Sequence, residues 1–338
     1  VFVHDRDTGQ TSRVSIASDG ALGNGDSWWS SISADGRYVA FHSLASNLVG
    51  GDTNGAWDVF VHNRDTVQTS RVSVASDGAQ GNGYSYSPAI SADGRYVAFV
   101  SLASNLVGGD TNDQPDVFVH DRDTGQTSRA SVASDGAQAN GASYYQSISA
   151  DGRYVAFGSY ASNLVGGDTN GIDDVYVHDR DTGQTSRASV ASDGAQGNDG
   201  SGDPSISADG RYVAFVSWAS NLVSGDTNGY ADVFVRDRGV AGGAFSVSGH
   251  VADTGGQPIE GVLISTGGFG EAVTDASGNY TIADLAEGAY TLTPSKPGYA
   301  FSPPTRTVTV PPDATGQDFV GTPSSASKLY VPFLSYGG

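Results

Sequence analysis

The chain has 338 residues, enough for two domains, and 38% of them are hydrophobic, which suffices for packed cores. A formal charge of −20, with Lys only at positions 296 and 328, argues against nucleic acid and anionic membrane surfaces as partners, because both need clustered Lys and Arg. Cys and Met are absent, so no disulfide, thiolate nucleophile or Cys-type metal site is available, and no stretch reaches the roughly 18 apolar residues of a membrane span.

The first element, Val1-Phe2-Val3-His4-Asp5-Arg6, returns at Val59, Val117 and Val175 and, altered, at Val233-Phe234-Val235-Arg236-Asp237-Arg238, always 58 positions on. A period this strict marks one supersecondary unit, copied and stacked. Each unit holds four strand candidates, which in the second repeat are residues 89–91, 96–101, 117–120 and 129–133. They are Val-, Phe-, Tyr- and Thr-rich runs between Gly, Asp and Asn clusters. Asp93-Gly94 makes the first connection a tight hairpin, and residues 123–126 make the last. Residues 96–100 are apolar on both faces, as an inner strand between neighbouring sheets must be. Four-stranded sheets repeated around an axis make a β-propeller. The chain opens at Val1, in mid-repeat and without Met, which reads as a processed or trimmed product.

The run Ser-Ala-Asp-Gly-Arg-Tyr-Val-Ala-Phe at 33–41, 91–99, 149–157 and 207–215 resembles the Ser-Pro-Asp-Gly-Lys repeat of TolB-type, WD-repeat-like propellers, over residues 1–239. The resemblance implies the fold and says little of function, since that family includes scaffolds, peptidase lids and binding modules. Third-type strands outnumber the other types by one. A closed four-bladed ring is expected if residues 11–17 complete the blade begun at Ser205. The surplus strand, at Val1 or Val233, then reflects a longer propeller or pairs with another molecule by β-augmentation.

Residues 240–244 read as a small-residue linker, after which the period vanishes. Ser246-Val247-Ser248-Gly249-His250-Val251, Thr274-Asp275-Ala276-Ser277-Gly278-Asn279-Tyr280, residues 285–292 and Lys296-Pro297-Gly298-Tyr299 follow in that order. Together they resemble the carboxypeptidase-regulatory-like family, related to Cna-B stalk modules. The resemblance implies a seven-strand prealbumin-type sandwich over 245–322, used as a spacer or adhesion accessory. Lys296 comes too late in the domain for the Lys–Asn crosslink of some Cna-B stalks. The tail, 323–338, reads as a spacer and a short apolar strand that docks on the sandwich or serves in sorting or assembly.

Three constellations bear on chemistry. Asp52, Asn54 and Asp58 recur as Asp110, Asn112 and Asp116, as Asp168, Asn170 and Asp174, and as Asp226, Asn228 and Asp232. Alternating Asp and Asn oxygens suit Ca²⁺, although the closing Glu of an EF-hand is missing; an Asx-type turn explains the same residues without a metal. The aromatics Trp28, Trp29, Tyr84, Tyr86, Tyr144 and Tyr145 occupy one variable loop, where they either wedge between blades or offer a platform to sugars or a partner protein. His4, His62, His120 and His178 fall on the third strand, where a hydrogen bond inside the blade fits better than a metal. No nucleophile elbow, His-Glu-x-x-His or phosphate loop is present. The expectation is an all-β, non-catalytic extracellular or cell-surface protein. It self-associates, into fibres or a surface layer, or alternatively binds surface glycan or protein; a polysaccharide lyase or hydrolase ranks below both.

Overall fold

The computed structural model describes residues 1–238, 245–266, 271–285, 288–310 and 313–324. Residues 1–239 and 240–338 form two units. The linker and most of the tail lie outside the described residues.

The first unit opens with β1 (Phe2–His4) and β2 (Thr11–Arg13), paired only with each other. Three four-stranded antiparallel sheets follow. The first holds β3 (Ser27–Ile32), β4 (Tyr38–Ser43), β5 (Asp58–Asn63) and β6 (Gln68–Arg71). The second holds β7 (Ser85–Ile90), β8 (Tyr96–Ser101), β9 (Asp116–Asp121) and β10 (Thr127–Arg129). The third holds β11 (Ser143–Ile148), β12 (Tyr154–Ser159), β13 (Asp174–Asp179) and β14 (Gln184–Arg187). The last sheet has three strands, β15 (Ser201–Ile206), β16 (Tyr212–Ser217) and β17 (Asp232–Asp237). The first strands of successive sheets touch one another, so they run along the inside of the array, as in propeller blades.

Three details differ from the sequence reading. The first strand of the second repeat is Ser85–Ile90, not 89–91, so Trp28, Trp29, Tyr86, Tyr144 and Tyr145 stand on first strands and not in a loop before them. The fourth strand of the second repeat is Thr127–Arg129, not 129–133, because Ala130 and Ser131 already turn toward the carbonyl of Val117. The ring is also not completed by residues 11–17. Strand β2 stays on β1, and β17 carries no fourth strand among the described residues.

The second and third strands are buried along nearly their whole length in the middle sheets, because a neighbouring sheet covers each face. Val117, Val119, Val155 and Phe157 form one such inter-sheet core. Backbone bonds of 2.9–3.0 Å from Ala34 to Ala92, Ala92 to Ala150 and Ala150 to Ala208 stitch the turns of successive sheets together. The turn glycines Gly94, Gly152 and Gly210 also each receive a ring from the preceding sheet. Tyr38 packs on Gly94 between the guanidinium groups of Arg37 and Arg122, whose centres lie 4.9 and 4.4 Å from its ring centroid. Gly94 has φ +76°, and a Cβ there would run into the Tyr38 ring. Gly94→Ala is therefore expected to cost about 2–4 kcal/mol, the sum of a left-handed backbone and an overpacked contact. Gly136→Ala, at φ +84° with open space around it, should cost only the backbone part. Urea unfolding of both variants checks the difference.

The second unit is a sandwich of two four-stranded sheets. One has the order β21 (Asn279–Leu285), β18 (Phe245–Asp253), β25 (Phe319–Pro323), β23 (Tyr299–Ser302). The other has the order β20 (Glu271–Val273), β19 (Leu263–Ser265), β22 (Gly288–Ser295), β24 (Arg306–Val310). Its eight strands are one more than the sequence reading expects, and Val247, Val262, Ile282, Leu292 and Phe319 fill the space between the sheets.

Candidate ligand-binding site

The inner strands are not regular. Their pairing with the next strand slips between Trp28 and Ser31, Tyr86 and Ala89, Tyr144 and Ser147, and Gly202 and Ser205. At each slip one non-glycine residue takes a left-handed backbone: Trp29 (φ 47°), Ser87 (52°), Tyr145 (54°) and Asp203 (49°). Such a conformation costs roughly 1–2 kcal/mol per residue. Bulges of this kind re-aim side chains and recur beside functional sites.

Comparison of the repeats with one another finds the same place. Positions 26, 28, 29, 30, 42, 44, 56 and 57 carry three or more residue types across the four repeats, whereas 33–41 is identical in all four. Every residue lining three adjoining cavities belongs to one of those varying positions. The largest, about 670 Å³, is walled by Trp28, Trp29, His42, Trp57, Tyr84 and Leu102. The second, about 350 Å³, is lined by Tyr86, Tyr144, Tyr160, Trp218, Asp173 and Asp203. The third, about 260 Å³, joins the four bulges Trp29, Ser87, Tyr145 and Asp203. Ser87 and Tyr145 border all three, so they form one continuous surface.

All six aromatics expected from the sequence thus reach this surface. Trp28, Trp29, Tyr84 and Tyr145 are exposed, while Tyr86 and Tyr144 also pack against the inter-sheet core, as the wedge reading expects. His42, Trp57, Tyr160, Asp173, Asp203 and Trp218 were missed. They lie outside the aromatic run at 26–29 and its repeats or are not aromatic, and position-by-position variation among the repeats is the signal that finds them. His42 accepts at Nδ1 from the Ser87 amide (3.2 Å) and stands edge-on to Trp57 at 4.8 Å. Burial lowers its pKa to about 4, so it is a neutral wall at neutral pH. Gln146 Oε1, at the floor, is buried without a hydrogen-bond partner.

The Asp loops turn away from this surface and toward an arginine of the same repeat. Asp52 and Asp58 face Arg71 at 3.7 and 3.5 Å; Asp110 and Asp116 face Arg129 at 3.4 and 3.5 Å; Asp168 and Asp174 face Arg187 at 3.8 and 3.0 Å. Ser73 donates to Asp58 (2.6 Å), and Gln80 donates to both Asp52 and Asp58. Asn54 accepts from the amide of Ala56, an Asx turn, as Asn112 does from Gln114. Burial pushes the Asp58 and Asp116 carboxyls up, against the pull of the serine, glutamine and arginine. In the fourth loop Asn228 donates to Asp232 (2.8 Å), and no arginine pairs with Asp226 or Asp232 among the described residues. No cluster of three or more metal-ligating side chains occurs among the described residues.

The histidines lie where the strand pattern puts them. His62, His120 and His178 share a hydrogen at Nδ1 with Thr69, Thr127 and Thr185 at 2.8–2.9 Å. Next to them Arg95 and Arg153 grip Asp121 and Asp179 through two nitrogens each.

Residues 246–320 match the carboxypeptidase regulatory-like family. This part of the chain is a carboxypeptidase regulatory-like domain. In that domain Lys296 donates to the carbonyl of Glu260. Among solved structures, TolB from Acinetobacter baumannii aligns with a TM-score of 0.40 at 16% identity, over 84% of this chain and 60% of that one. TolB from Agrobacterium tumefaciens aligns at 0.37 and 16%, over 62% and 66%. An oligogalacturonate lyase in complex with manganese aligns at 0.40 and 11%, over 85% and 71%. The chain, regulatory-like domain included, spans about 60% of the Acinetobacter TolB. No curated protein matches it.

Proposed function

We propose that the chain is a non-catalytic extracellular or cell-surface binding protein, whose repeat array holds a carbohydrate on the aromatic surface of its inner strands. One observation carries this: seven of the eight positions that vary most among otherwise uniform repeats, all but the loop position 56, line the adjoining cavities. Packing alone gives no reason for the differences among four near-identical sheets to gather there. Exposed Trp and Tyr rings beside Ser and Asp oxygens suit the apolar faces and hydroxyls of sugar rings. The regulatory-like domain fits the role of a spacer.

Trp28→Ala together with Trp29→Ala is expected to weaken glycan binding by about 2 kcal/mol, roughly thirtyfold, the scale of a lost aromatic anchor. Affinity electrophoresis against a panel of soluble polysaccharides reads this. Retention by none of them sinks the reading, and cleavage of a retained glycan sinks its non-catalytic part.

Self-association is a second reading, favoured by β17. Val233 and Val235 are 74% and 66% exposed, whereas the equivalent Val117 and Val119 are fully covered by the next sheet. An open edge and an apolar face of this sort invite a strand from another copy. Monodisperse monomer in light scattering at high concentration counts against it. Calcium belongs to this function only where no arginine already neutralises the loop carboxylates, which leaves the fourth loop.

A further inference from the structure

The fourth repeat breaks the pattern of the other three at the inner surface. Where they have Trp28, Tyr86 and Tyr144, it has Gly202, and where they have Asp26, Tyr84 and Ala142, it has Gly200. Gly200 makes room for a carboxylate, and Gly202 lies in ordinary contact with the same one. A Cβ on Gly200 would stand 2.5 Å from Asp173 Oδ1, and one on Gly202 would stand 3.7 Å from Asp173 Oδ2. Asp173 itself occupies the position of Trp57 and Pro115. The bulge residue of this repeat, which is Trp, Ser or Tyr elsewhere, is Asp203. Two carboxylates therefore enter a cavity of about 350 Å³ whose other walls are the rings of Tyr86, Tyr144, Tyr160 and Trp218.

These carboxylates differ from those of the Asp loops. Among the described residues no Arg or Lys pairs with Asp173 or Asp203, whereas each of the first three loops has its own arginine. Tyr144 stands edge-on to Tyr145 at 4.9 Å and to Tyr160 at 5.6 Å, which fixes a bank of ring faces beside the acids. Ring faces attract cations, and two unpaired carboxylates supply the counter-charge. Burial pushes the Asp173 carboxyl up, and Asp174, Asp199 and Asp203 add to the push, so a cation seated there relieves a standing repulsion.

We propose that this cup takes an organic ammonium ion, and that the glycan held on the neighbouring tryptophans carries free amino groups, as a glucosamine-type sugar does. The inference rests on the carbohydrate-binding reading above and adds the charge of the ligand to it. The surface is continuous from the Trp28–Trp29 wall through Ser87 and Tyr145 to Asp173. One sugar chain can therefore lay its rings on the tryptophans and its ammonium between the acids. A uronic-acid chain is disfavoured by the same carboxylates and by the net charge of −20.

The test is calorimetric titration of the full chain with β-1,4-linked glucosamine trimers, their N-acetylated counterparts, and choline. The glucosamine trimer is expected to bind at least tenfold tighter than the N-acetylated one. Asp173→Asn with Asp203→Asn should abolish that preference, weakening the glucosamine trimer at least tenfold more than the N-acetylated one. A charge-matched control, Asp7→Asn with Glu271→Gln at exposed positions, should keep the preference; its loss would mark mere attraction of polycations to an acidic protein and overturn the proposal. Equal binding of the two trimers overturns the cation site and leaves the carbohydrate reading standing. Binding of choline as tight as that of the glucosamine trimer makes the cup a site for a free ammonium compound and overturns the amino-sugar assignment. Binding of neither trimer nor choline overturns the cup, and the polysaccharide panel then decides the carbohydrate reading separately.

Discussion

Arg129→Met is expected to lower the unfolding free energy of the repeat array by about 3–5 kcal/mol, the scale for removing one partner of a buried ion pair. Arg129 is almost fully buried, as are the two carboxylates it faces, Asp110 and Asp116. Its Nε and Nη2 find no aligned hydrogen bond, so charge rather than hydrogen-bond geometry holds the cluster. Methionine fills a similar volume, so the loss reports the missing charge and not a cavity. Asp116→Asn in the Arg129→Met background should recover more than half of the loss, because the stranded carboxylate is then gone. The loss should also shrink at pH 5, since burial already pushes the Asp116 carboxyl up and removal of Arg129 pushes it further. Urea unfolding of the single and double variants, following the array's own transition, reads all three effects. The same array decides the role of calcium. If the guanidinium is the cation of these loops, millimolar Ca²⁺ leaves the Tm of the Asp226→Asn, Asp232→Asn variant, which lacks the carboxylates of the fourth loop, unmoved. A rise of several degrees in that variant would return the ion to the first three Asp and Asn loops. A loss under about 1 kcal/mol in the single variant would mean that water, not Arg129, neutralises the pair.

That cluster shows where a single sequence stops being legible. The period, the Asp-Gly turns and the third-strand run were plain, because each is a local pattern repeated without slippage. The Asp and Asn spacing was equally plain, but the charge that answers it comes from Arg71, which the β5–β6 register sets opposite Phe60, thirteen positions past Asp58 in the chain but beside it in the fold. Spacing shows a request for a cation and not which cation meets it. The aromatic run was legible as a place of variation but reads as a loop where the structure has a strand, and about a third of the surface comes from two other segments, near 42–44 and at 57, the first of which strand pairing within each sheet brings alongside. The bulges have no local signature at all. Trp29, Ser87, Tyr145 and Asp203 share no chemistry, and only Asp is a residue that takes a left-handed backbone at all readily. What they share is a place along the axis, which tertiary packing imposes.

Acidification is expected to unfold the array in the window between about pH 6.5 and pH 4, with histidine as the cause. His120 and His178 are buried, and burial lowers each pKa to about 4; Asp121 and Asp179 partly counter this, while Arg122 and Arg180 add to it. The hydrogen-bond chain fixes the tautomer. Thr127 Oγ1 donates its one hydrogen to the carbonyl of Val74 (2.6 Å), and Thr185 Oγ1 donates to Val132 (2.5 Å). Each threonine must then accept from the histidine, so Nδ1 carries the hydrogen and an added proton has only the buried Nε2 to go to. The unfolded chain binds that proton near pH 6.5 and the folded one near pH 4, so stability is complete above 6.5 and falls as pH drops through the window. At about 1.4 kcal/mol per unit, each of the two residues withdraws roughly 2 kcal/mol between pH 6.5 and pH 5. Asp58 and Asp116 act in the opposite direction, because a raised carboxyl pKa favours the folded state as pH falls. Urea unfolding at pH 7.5 and pH 5.0 should therefore show a loss of a few kcal/mol. His120→Gln and His178→Gln, which keep a donor for the threonine and cannot take a proton, should each remove roughly 2 kcal/mol of the difference. An unchanged difference in both variants would move the acid sensitivity to His42 and His62, whose pKa values burial also lowers; the Arg–Asp pairs cannot supply it, because Arg95 holds the Asp121 carboxyl far below the ordinary range and that loss belongs below pH 4.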